Sequence, residues 1–132
     1  MKAIGDKIDK HFCTHVVGAT FKNEDGTDRQ SLIAQCKEFQ PVYLNLQPDH
    51  VKYSDAVFIT ADLPGPKLGY LDAYIGAQIS HDVLKNDRVW GGLVRVVTKA
   101  TPGKPSGMVI CVMRFKPEYE EPYRIYPRQA SA

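Results

Sequence analysis

The chain lacks most of the features that commit a sequence to a specialised class. Cysteine is scarce: Cys13, Cys36 and Cys111 are an odd number, widely spaced, with no Cys-x-x-Cys among them. They read as small buried apolar groups and exclude a disulfide framework. No apolar run approaches the roughly 20 residues needed to span a bilayer. The opening Met1-Lys2-Ala3-Ile4-Gly5-Asp6-Lys7 has no continuous apolar stretch of the kind a secretion signal needs. No membrane contact is expected, and a cytoplasmic location is. Charge is nearly balanced, 17 Lys+Arg against 15 Asp+Glu. A formal +2 neither demands a polyanionic partner nor excludes one, so only a local basic patch would argue for nucleic acid. There is no Gly-x-Ser-x-Gly elbow and no Gly-x-x-x-x-Gly-Lys-Ser/Thr phosphate cradle. His81-Asp82 reads as a solvated pair on a helix. The expectation is a binding protein with no catalytic apparatus and no cofactor.

An apolar fraction of 43% with 24% charged residues is ordinary for a globular chain, which argues against disorder across its length. The first residues, with Ile4 and Ile8 among charges, predict an ordered arm or short helix over 1–11. Phe12 to Phe21 is β-branched and aromatic, a strand that ends in the turn Asn23-Glu24-Asp25-Gly26-Thr27-Asp28. Asp28 is placed to cap a helix from Arg29 that buries Leu32, Ile33 and Cys36. Val42, Leu44 and Leu46 alternate along a half-buried strand that Pro48-Asp49-His50 breaks. Ala56–Thr60 and Leu68–Leu71 are further strands, separated by the turn Pro64-Gly65-Pro66-Lys67. Asp72 can cap a second helix whose Ile75, Ile79 and Val83 share one face. Val89–Thr98 and Met108–Phe115 are two more strands, joined by an exposed loop over 101–107. From Pro117 to Ala132 the prolines, tyrosines and alternating charges predict an extended tail. Short strands dominate and helices plug the ends, so the expected fold is mainly β: a small partly closed barrel of about six strands with two helices, over 12–116.

Several of these segments together resemble the HIRAN domain family, in its stand-alone bacterial and phage form. Val16-Val17-Gly18 leads to Asn23-x-Asp25-Gly26 and then Arg29-Gln30. Val42-x-Leu44 follows the first helix, Pro48 precedes Ala56-Val57 by eight residues, and Leu68-Gly69-Tyr70-Leu71 opens the second helix. Each motif alone is weak; their order across Phe12 to Phe115 carries the likeness. The resemblance implies an OB-like barrel and nucleic-acid binding, with single-stranded DNA or DNA ends, 3′ ends among them, as the partner in repair or processing. It implies a pocket built from an aromatic pair after the first strand, an Asn-Pro-Tyr-Asp turn, and a His and a Lys from a Gly-His-Leu stretch. Phe21 falls at one stacking aromatic. The turn aligns without gaps to His50-Val51-Lys52-Tyr53, which keeps none of its four residues. A one-residue shift brings Tyr53 near the Tyr and Asp55 near the Asp, and both alignments stand. Tyr70 replaces the His, and Ala73 the Lys. The scaffold is matched better than the pocket.

Phe21, Tyr53 and Tyr70 are thus candidates for stacking on bases, each contact worth about 1–3 kcal/mol in single-strand binders. The alternative is that they fill the barrel, although Tyr53, between Lys52 and Ser54, is hard to bury. Lys22, Arg29, Lys52 and Lys67 sit at element ends that the fold would bring to one rim, to meet phosphates or only solvent. His50 and Asp55 are placed to bond a sugar hydroxyl or base edge, or merely to form turns. His11-x-Cys13-x-His15 puts imidazole and thiol on one strand face, but no fourth ligand is evident and no metal is expected. An adaptor that keeps the barrel and docks a protein partner through its C-terminal tail is the competing reading.

Overall fold

The structure, a computed structural model, describes residues 4–127. Two aspartates start the two helices, as their short acceptor side chains favour. Asp28 is extended and its carboxylate accepts from the Gln30 N–H, opening α1 (Arg29–Ala34). Asp72 accepts from the N–H groups of Tyr74 and Ile75, opening α2 (Ala73–Asn86). The alternating segments form β1 (Ile8–His15), β2 (Pro41–Gln47), β3 (Ala56–Thr60), β4 (Lys67–Tyr70), β5 (Trp90–Thr98) and β6 (Gly107–Phe115). They make one antiparallel sheet in the order β1-β6-β5-β2-β3-β4. β2 pairs with β3 from Tyr43 to Gln47 but with β5 only at Pro41 and Val42. The sheet can therefore fold over at β2 and wrap a core.

That core is the inward set of β2 to β6. Val42, Leu44, Val57, Ile59, Leu68, Val94, Ile110 and Val112 are buried together, with Ile33 from α1 and Ile79 from α2 closing over them. The sheet does not close by a continuous ladder. Beyond β1, however, Val17 and Tyr70 exchange both backbone hydrogen bonds at 2.8 Å, linking the chain after one edge strand to the other edge strand. This contact needs Gly69: a Cβ there would lie 2.6 Å from the Val17 carbonyl oxygen and 2.4 Å from a Val16 methyl. The result is the mainly β, partly open barrel with two helices that the sequence implies.

Several local expectations change. Only Cys36 of the three cysteines is buried, and Cys13 is exposed. Asp82 is not a solvated group: its carboxylate accepts from the Trp90 indole and the Asn86 amide, both at 2.8 Å, and from Arg114 at 3.4 Å. The first strand does not run to Phe21: it ends at His15, and Gly18 at φ 72° reverses the chain, so 18–21 form a turn. The expected arm over 1–11 is in part sheet, because Ile8 already pairs with Phe115 and the Asp9 carboxylate binds Arg88 and Arg114. Residues 1–3 lie outside the described residues. The expected extended tail over 117–132 is instead two short 3-10 turns, Pro117–Tyr119 and Glu121–Tyr123, folded back on the barrel; residues 128–132 lie outside the described residues. The Tyr123 ring stacks on Phe115 at 3.9 Å, and buried Glu120 accepts from Arg88 at 3.1 Å and from Arg124 at 3.4 Å. The alternating charges in this segment serve as cross-links to the body of the fold. Among the described residues no helix is long and apolar enough to cross a membrane.

Candidate nucleic-acid interface

The turn after β1 is held rigid by its own polar groups. Asn23 N–H donates to the Thr27 carbonyl at 2.9 Å, and the Thr27 hydroxyl and N–H both donate to Asp25. These Thr27 bonds hold the Asp25 carboxyl below its ordinary range. Lys22 and Asp28 bridge across the base of the turn. An aromatic ring in such a turn has nowhere to bury, and Phe21 stands 66% exposed.

Arg29, the first residue of α1, points back under this turn. Its Nε donates to Asn23 Oδ1 at 2.7 Å and its Nη1 to the Gly18 carbonyl at 2.8 Å, while the guanidinium lies 5.5 Å from the Tyr70 ring centre. Asn23 is tied in turn to β4 through its amide, which donates to the Lys67 carbonyl at 2.9 Å. Tyr70 therefore has a cation on one side and a ring on another: His50 meets it edge-on at 5.4 Å. The Tyr70 hydroxyl donates to Gln47 Oε1 at 2.6 Å and receives the Lys67 ammonium at 2.8 Å. That ammonium is 5.2 Å from the Tyr70 ring centre. The shorter hydroxyl distance shows that it caps the hydroxyl end and does not sit over the ring face.

His50 comes from the β2–β3 connection. Its Nδ1 accepts from the N–H groups of Lys52 at 3.1 Å and Tyr53 at 3.0 Å, which leaves Nε2 as the donor. Its ring stacks near Tyr53, with centres 6.0 Å apart and planes at 25°. Tyr53 is 41% exposed and carries the Lys52 ammonium 5.4 Å from its ring centre.

These side chains line two adjoining hollows that share Arg29, His50 and Tyr70. The inner hollow, about 450 Å³, is walled by Phe21, Tyr53, Val17 and Leu71, with Gly18 and Ala73 at its margins. The outer hollow, about 650 Å³, is edged by Lys22, Lys67 and Phe58, but also by Glu24, Asp25 and Asp49. Of the residues singled out from sequence, Phe21, Lys22, Arg29, His50, Tyr53, Lys67 and Tyr70 converge here from four separate segments. Lys52 stands on the rim beside Tyr53, and Asp55 is not among the lining residues of either hollow. Sequence reasoning missed Asn23 and Gln47. Asn23 reads as an ordinary turn former, and Gln47 as the last outward residue of a strand; only their long-range bonds reveal them. His11, Cys13 and His15 lie exposed along β1, away from both hollows, and no group of three or more His, Cys, Asp or Glu among the described residues is arranged to hold a metal.

The fold and cleft together define a small open β-barrel with a groove of aromatic and charged side chains on one rim. No protein-family model matches the chain, and neither does any curated protein sequence. Among solved structures it is similar to the HIRAN domain of human HLTF, at 13% identity over 89% of this chain and 85% of that one, with a TM-score of 0.59. It is also similar to a protein from Lactobacillus plantarum, at 13% identity over 81% of this chain and 100% of that one, with a TM-score of 0.56. At such low identity the likeness is one of fold, and the chain has a HIRAN-like fold.

Proposed function

We propose that the chain is a non-enzymatic binding module for single-stranded DNA or DNA ends, acting in DNA repair or processing. One observation carries the reading: stacking aromatics and cations from four distant segments meet in a single cleft. Phe21 and Tyr53 are exposed rings lining the inner hollow, Arg29 is shared by both hollows, and Lys67 brings positive charge to the outer one. Rings that accept any base face, beside cations that track a backbone, are the ordinary means of holding a single strand. The His50 Nε2–H supplies a donor for a base edge or a sugar hydroxyl. The HIRAN-like fold agrees with this use, and a 3′ end is the variant that the sequence resemblance favours.

The test is titration of labelled single-stranded and duplex DNA at two salt concentrations. Binding to the single strand that weakens as salt rises is expected, since counterions are released from the contacted phosphates. No binding at low salt, or binding indifferent to salt, refutes the reading. The competing adaptor reading stands on the departure of His50-Val51-Lys52-Tyr53 from the family's pocket turn; the tail it would dock through is, over residues 117–127, packed on the barrel.

A further inference from the structure

We infer that one particular backbone phosphate of the bound strand is drawn out of water onto Arg29, fixing the register of the strand in the cleft; this rests on the nucleic-acid reading above. Arg29 is only 8% exposed. A buried guanidinium is normally matched by a carboxylate, because taking a lone charge out of water is costly. The other inward-facing arginines follow that rule: Arg88 pairs with Asp9 and Glu120, Arg114 with Asp9 and Asp82, and Arg124 with Asp87 and Glu120. Arg29 does not. Its two bonded nitrogens meet neutral oxygens of Asn23 and Gly18, no carboxylate among the described residues makes a salt bridge with it, and its Nη2 bonds to no described group.

The guanidinium is also held still, by two hydrogen bonds and by the Tyr70 ring. An edge fixed in advance loses little freedom when an anion arrives. Charge decides from which side the anion comes. In the outer hollow the three carboxylates of Glu24, Asp25 and Asp49 outnumber the ammonium groups of Lys22 and Lys67, whereas no carboxylate lines the inner hollow. The phosphate therefore reaches Arg29 from the inner side, between the rings of Phe21 and Tyr53. Lys22 and Lys52 are exposed, so a phosphate near them stays hydrated and contributes little register.

The experiment replaces each linkage of a short oligothymidylate in turn with an uncharged methylphosphonate and titrates the intact chain at two salt concentrations. One linkage is expected to cost about tenfold or more in affinity, a loss that persists at the higher salt, while the others cost about twofold or less. Arg29→Lys is expected to lose that position dependence, because an ammonium cannot keep both internal bonds and still present a fixed edge. A uniform response along the oligonucleotide, or position dependence retained in the lysine variant, overturns the inference while leaving strand binding intact. If no oligonucleotide binds, the functional reading falls. The anion site is then judged by the Arg29 Nε–H resonance titrated with inorganic phosphate: a saturable shift supports it, and no shift overturns it. The linkage scan needs no mutation, so it stands even if the lysine variant folds poorly.

Discussion

Replacing Gly69 by alanine strikes the contact that closes the barrel. The added methyl would lie 2.4 Å from the Val16 Cγ1 and 2.6 Å from the Val17 oxygen, well inside van der Waals contact. Neither neighbour can yield easily: Val16 is in the core, and the Val17 carbonyl is the acceptor for the Tyr70 N–H. Overpacking of this kind costs about 1–3 kcal/mol. If relief comes by parting the strands, two backbone hydrogen bonds are lost at about 1 kcal/mol each. By either route a loss of about 1–3 kcal/mol is expected, which for a domain of this size lowers the Tm by roughly 4–12 °C. Urea unfolding followed by Trp90 fluorescence measures it directly, since Trp90 is the one tryptophan and is buried. Gly107→Ala is the control, because a Cβ there meets nothing within 4 Å and should change stability by less than about 0.5 kcal/mol. If the Gly69 variant is as mild as this control, the Val17–Tyr70 closure is wrong as drawn.

Tyr53→Ala is expected to weaken single-strand binding by about 1–3 kcal/mol, read as roughly 5- to 150-fold in Kd, with unfolding unchanged because the ring is 41% exposed. Tyr126→Phe removes the hydroxyl that accepts the Leu46 N–H at the unpaired edge of β2, and a loss of about 1–2 kcal/mol is expected in the same urea assay. Burial alone would raise the Asp82 carboxyl, but hydrogen bonds from Asn86, Trp90 and Arg114 outweigh it and the net direction is down. The folded chain thus holds this proton more weakly than the unfolded one, so the stability Asp82 gives is present above about pH 4 and lost as pH falls below it. Asp9, lowered by Arg114 and Arg88 against the opposing effect of burial, acts in the same sense. Asp82→Asn should flatten part of that acid limb in unfolding curves taken from pH 6 downward.

The regular elements were legible because local chemistry decided them. Asp28 and Asp72 sit where the helices begin, and Ala56–Thr60 is a strand with the same ends in both readings. Irregular ends were not legible. Phe12 to Phe21 is apolar enough to continue as a strand, but Gly18 takes a positive φ and its carbonyl accepts from Arg29, so the chain turns early. The C-terminal segment misled for a similar reason: its prolines and charges look solvated until Glu120 is seen buried between Arg88 and Arg124. In the cleft, most residues with an obvious chemistry (aromatic rings and cations) were found from sequence, although Phe58, which edges the outer hollow, was read only as part of a strand. The residues that aim them, Asn23 and Gln47, were not, because an amide announces nothing until its partner lies 44 or 20 residues away.

Closure of the barrel and formation of the cleft are one event. Tyr70 supplies both a backbone bond to Val17 and the ring against which Arg29 and His50 are set. Gly18, immediately after Val17, accepts from Arg29 at its carbonyl, so the turn that displays Phe21 is anchored to the same point. Lys67 is fixed through Tyr70 and Gln47, and its own carbonyl holds Asn23. A displacement of β4 relative to Val17 must therefore move the rings and cations together, and would not simply loosen one contact. It follows that Gly69→Ala should weaken strand binding even in conditions where most of the variant is folded, although Gly69 is not among the lining residues of either hollow. Binding by the folded fraction at parental affinity would show instead that the cleft is organised by the turn and α1 alone.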